Sequence, residues 1–107
     1  MKLVYIIVSH NDSAVLQAEL VRSGFFATKL ASTGGFLRAG NATFMICAES
    51  QRVDEIIEIA KKNCKRRSEV VASSNGLDGM NYDSVPVEIT VGGATIFTVD
   101  VDRFEKI

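Results

Sequence analysis

The sequence has little of what would announce a chemistry at a glance. Its 107 residues include two cysteines, one histidine and one proline, and the formal charge is only -1. Cys47 and Cys64 stand at no metal-ligand spacing and His10 lies far from both, so the chain offers no structural zinc site. Each cysteine reads as a small buried hydrophobe, and a disulfide does not suit a reducing compartment. A near-neutral charge and a pI near 5.8 exert no global pull toward phosphate backbones, which argues against a nucleic-acid partner. The apolar run at residues 3–8 is too short to cross a membrane and lacks the charged leader and cleavage pattern of a secretory signal. A cytoplasmic protein with no membrane partner is expected.

What is present is the balance of an ordinary globular protein, 47% apolar and 23% charged, in a length that suits one domain over residues 1–107. Residues 3–8 are β-branched-rich and read as a central strand. The polar group His10, Asn11, Asp12 and Ser13 then opens a helix carrying Leu16 and Leu20 one turn apart and stopping at Gly24. Strands are expected from Phe25 and again over residues 42–48, joined as a hairpin. Val53, Ile56, Ile57, Ala60 and Cys64 follow the helical period, with Ser50 as its cap, acidic residues at its start and a basic cluster, residues 61–67, at its end. That cluster reads as a solvated helix end that complements the macrodipole.

Residues 68–84 are polar, turn-rich and aperiodic, and are expected to form a long mobile loop. Alternation resumes at Val85, Val87, Ile89 and Val91, and Gly92-Gly93 joins this run to residues 94–101 in what reads as a second hairpin. The lone Pro86 suits a strand start or edge. The order is that of a split βαβ, ferredoxin-like α+β fold: an antiparallel sheet with two helices on one face. The other sheet face then needs cover, which points to a symmetric oligomer.

The most unusual stretch is Thr33-Gly-Gly-Phe-Leu-Arg-Ala-Gly-Asn41. Gly35 and Gly40 have Walker A spacing, but Asn41 and Ala42 stand where Lys and Ser or Thr belong, and a strand follows, so this is no P-loop. Two readings remain: a glycine-containing hairpin connection, or a nucleotide pocket. In the second, bare N–H groups and Arg38 meet phosphate, Phe36 stacks on a base and Asn41 meets an adenine edge. No catalytic constellation competes, since His10 has no evident partner and Asp54, Glu55 and Glu58 read as a solvated face.

The string Ala27-Thr-Lys-Leu-Ala-Ser-Thr-Gly-Gly-Phe-Leu-Arg-Ala-Gly-Asn-Ala-Thr-Phe44, with Arg52-Val-Asp-Glu55 and Pro86-Val-Glu-Ile-Thr-Val-Gly-Gly-Ala-Thr-Ile-Phe97, resembles the PII-like cyclic di-AMP receptor proteins of Gram-positive bacteria. The resemblance implies a PII-like homotrimer that takes a cyclic dinucleotide in clefts between subunits and passes occupancy to a downstream protein, with neither catalysis nor cofactor. It implies a ligand site at Ala27, Thr28, Gly34, Gly35, Phe36, Leu37, Arg38, Gly40 and Asn41, with Cys47 at the pocket wall and Phe97 beside it. The chain departs from the family pattern at Gly24 and Phe26, where an amide and a guanidinium are usual, at Cys47 in place of a glycine, and at the terminal Phe104-Glu-Lys-Ile107. A lost charge-assisted contact weakens binding by about ten- to a hundred-fold. Alternatives to a cyclic di-AMP receptor are the same trimer with another small molecule or nucleotide, or a ligand-free interaction scaffold.

Overall fold

A strand central to a sheet must satisfy neighbours on both sides, and residues 2–9 do so. In the computed structural model, which describes residues 1–30, 41–73 and 85–107, strand β1 (Lys2–Ser9) buries Val4, Ile6 and Val8 on one face and half-buries Leu3, Tyr5 and Ile7 on the other. Helix α1 (His10–Arg22) follows without a linker. Its first turn holds Asp12, which accepts a hydrogen bond from Ser9 Oγ at 3.2 Å, a negative charge where the helix dipole favours one. The helix stops in a Schellman turn: Phe25 N–H donates to Leu20 O at 2.9 Å and Gly24 N–H to Val21 O at 3.0 Å, with Gly24 at φ +88°. Phe25 and Leu20, both buried, close the motif.

Strand β2 (Ala27–Leu30) and strand β3 (Asn41–Ala48) pair antiparallel, as expected of the hairpin. A 3-10 turn (Ser50–Arg52) leads into helix α2 (Val53–Asn63); the Ser50 side chain makes no capping bond, because the chain enters the helix through that turn. Ile56, Ala60 and Cys64 are buried, and Val53 packs at the edge of the core. Both helices cover the face carrying Val4, Ile6, Phe44 and Ile46. Strand β6 (Ala94–Asp100) completes a four-stranded sheet in the order β2-β3-β1-β6 with antiparallel neighbours, the split βαβ topology.

Two expectations are corrected. Residues 68–73 belong to strand β4 (Arg67–Ser73), which pairs with strand β5 (Val85–Val91) in a separate two-stranded ribbon. The remaining connection, residues 74–84, lies outside the described residues, as does any statement about its mobility. The described side chains of the segment, residues 68–70, are exposed and impose no period: Val70 is 71% exposed, and backbone pairing with β5 makes it a strand. β5 pairs with β4 and β6 with β1, so β5 and β6 do not form a hairpin. Gly92 and Gly93, at φ +82° and +81°, instead carry the chain from ribbon to sheet. Among the described residues no helix is long and apolar enough to cross a membrane.

Candidate ligand site

The sheet face away from the helices collects the described candidates. Cross-strand register places Thr28, Met45, Tyr5 and Phe97 in one row across all four strands. Cys47, Leu3 and Val99 form the next row, and Asn41 stands opposite Ser9 towards the other end. Phe97 and Val99 are each 46% exposed, and Thr28, Asn41 and Cys47 are exposed. Ala27 differs: its register opposite Ile46 turns it to the helix side, where it packs half-buried against the core. Gly34, Gly35, Phe36, Leu37, Arg38 and Gly40 lie outside the described residues. From Asn41 to Cys47 β3 advances about 20 Å, so this face spreads its candidates along the strand instead of closing them round one point.

At the Cys47 end lies a cavity of about 180 Å³ lined by Met1, Gly24, Phe26, Cys47, Glu49 and Arg52, among others. Three departures from the family pattern therefore meet in one place. Phe26 is 92% exposed, whereas Phe25 turns inward beneath Arg52, whose guanidinium carbon lies 4.0 Å from the ring centroid. Arg52 also donates to Ser23 O at 2.9 Å and to Glu55 at 3.1 and 3.3 Å, so its charge is held by its own chain. Cys47 Sγ stands 3.7 Å from Met1 Sδ. The expectation of a buried thiol fails for Cys47, which the strand's alternation turns to the open face, and holds for Cys64.

At the Asn41 end the ribbon joins the sheet, and sequence reasoning missed what gathers there. The basic cluster is not one helix end: α2 stops at Asn63, and Arg67 opens β4. Arg67 Nη2 donates to Asp12 Oδ1 at 3.1 Å and Nη1 to Lys65 O at 3.1 Å, while its Nε lies 3.5 Å from Glu69. Asp12 is 7% exposed, so the pair ties the ribbon to the first turn of α1. A second cavity, also about 180 Å³, opens here between Ser9, Asn41, Arg66, Gly92, Gly93 and Thr95. The Gly-Gly pair was visible in the sequence, but only as a turn.

The two-helix α+β domain thus carries a small cavity at each end of its open sheet face. The chain belongs to the cyclic-di-AMP receptor family, whose pattern it matches over residues 1–107. That family is one of receptors for the dinucleotide, a signalling role and not a catalytic one. It is also similar to a protein from Pediococcus pentosaceus ATCC 25745 whose crystal structure describes it as functionally unknown, at 40% identity over 99% of this chain and 96% of that one, with a TM-score of 0.74.

Proposed function

We propose that this chain, in the cytoplasm, forms a homotrimer through the open sheet face, binds one cyclic di-AMP per chain in the clefts between copies, and signals occupancy to a partner protein. The observation that carries this reading is the distribution of the candidates: Thr28 and Phe97 share a row with Tyr5 and Met45, yet Cys47 and Asn41 lie towards opposite ends of β3. Residues spread over about 20 Å of one face can converge on one ligand when a second copy brings its opposite end alongside. The same packing would cover Val99 and Phe97. Titration calorimetry with cyclic di-AMP, with cyclic di-GMP, ATP and AMP as controls, tests the ligand. Saturation near one per chain is expected, and absence of binding up to about millimolar concentration, worth only about 4 kcal/mol, would sink it. A solution mass three times the 11.6 kDa of one chain tests the assembly.

A second reading keeps the clefts and changes the ligand. Gly24, Phe26 and Cys47 line one cavity, and Gly24 and Phe26 bring no polar side chain to it where the family pattern supplies an amide and a guanidinium. Phe26→Arg separates the readings. If cyclic di-AMP is the ligand, its affinity should rise by about ten- to a hundred-fold; an unchanged, undetectable affinity favours a less charged molecule.

A further inference from the structure

We propose that the cavity at the base of the ribbon is a phosphate seat, with Arg66 as its cation. Adjacent arginines divide the work there. Arg67 is committed to Asp12 and Glu69, whereas Arg66, exposed, pairs with no carboxylate among the described residues. Its side chain lies over the glycine turn: a Cβ built on Gly93 would stand 3.8 Å from Arg66 Cβ and 3.8 Å from its Nε. The turn itself carries no side chains, so an anion can approach its backbone, and no turn hydrogen bond among the described residues uses the N–H of Gly92 or Gly93. The Asn41 amide and Thr95 hydroxyl complete a lining of hydrogen-bond donors.

The surrounding charge favours an anion. Ser9 Oγ–H donates a hydrogen bond to Asp12, and the Asp12 carboxylate is answered by Arg67, so the negative group near the cavity is already matched. A guanidinium beside a side-chain-free turn is a donor set suited to phosphate oxygens, two at a time where geometry allows. Size narrows the occupant. At about 180 Å³ the cavity is smaller than the roughly 300–1,000 Å³ of a site for a whole drug-sized ligand, and so suits a phosphoryl or phosphodiester group, not a nucleoside.

The phosphate has two sources, the phosphodiester of cyclic di-AMP or free phosphate; only the first rests on the function proposed above. The test follows the amide resonances of Gly92 and Gly93 in the full-length, nitrogen-15-labelled protein, titrated with cyclic di-AMP and separately with inorganic phosphate, chloride holding ionic strength constant. Movement of these amides with either titrant, weakened about ten- to a hundred-fold in Arg66→Gln and partly restored in Arg66→Lys, is the expected result. Movement with phosphate alone, with no calorimetric binding of cyclic di-AMP, upholds the seat and overturns the cyclic di-AMP reading. Calorimetric binding of cyclic di-AMP that leaves these amides unmoved and is equal in Arg66→Gln overturns the seat and upholds that reading. Amides that neither titrant moves, or shifts indifferent to Arg66→Gln, also overturn the seat. Arg66 is exposed and carries no ion pair among the described residues, so an unchanged thermal melt of Arg66→Gln serves as the folding control.

Discussion

Cys64 sits at 2% exposure just past the end of α2, and burial, then the nearby Asp12 charge, lift its pKa from 9.0 to about 11 against the opposing pull of Arg67. An acid held neutral by the fold stabilises it below its unfolded pKa. That contribution is present below about pH 9 and is lost as pH rises toward 11. Denaturant midpoints should therefore fall across that window, and a Cys64→Ala protein should lack this part of the fall. Cys47 is exposed, so a thiol reagent at pH 8 should label one cysteine per chain in the native protein and two in denaturant. Thr43 makes a second case at this scale. It is 3% exposed and its Oγ1 has no hydrogen-bond partner among the described residues. Thr43→Val removes an unsatisfied polar atom at constant shape and is expected to raise stability by about 1 kcal/mol, read from urea unfolding.

The element that depends most on single residues is the ribbon of β4 and β5. A Cβ on Gly92 would lie 2.3 Å from Lys65 O and 2.6 Å from Arg67 Nη1, at a backbone φ of +82°. Gly92→Ala must therefore strain the backbone and displace Arg67 from Asp12. It is expected to destabilise by more than the roughly 1 kcal/mol of an ordinary substitution and to speed proteolysis at residues 65–67, whereas Gly24→Ala, which meets nothing within 4 Å, should show only the positive-φ penalty. The helices and the β2-β3 hairpin were legible before any coordinates, because Leu16, Leu20, Ile56 and Ala60 keep a helical period and face a core. The ribbon was not, because it is defined by pairing with a partner strand, and its described Val70 and Ile89 are exposed.

For the whole molecule, the open sheet face decides assembly. Val99 is 46% exposed in the single chain and belongs to the same face as Tyr5 and Leu3. Val99→Asp should leave the fold within about 0.5 kcal/mol but reduce the solution mass to that of one chain, measured by light scattering. If the mass stays at three chains, the assembly uses another surface. The candidate site was legible as a glycine-rich string with Phe36 and Arg38, and those positions lie outside the described residues. What was not legible is that Cys47, distant along the chain from Gly24 and Phe26, lines one cavity with them.

The sequence by itself determined the α+β class, both helices, the central strand and the family, because these depend on local periodicity, turn chemistry and a long specific string. Only tertiary structure decided which of two adjacent arginines is paired with Asp12, since Arg66 and Arg67 are equivalent until that residue, 55 positions away, claims one of them. It likewise turned Cys47 outward and Cys64 inward, and made Gly92 indispensable where a carbonyl oxygen leaves no room for a side chain. Contacts between distant residues depend on how the chain closes on itself, and no local pattern carries that information.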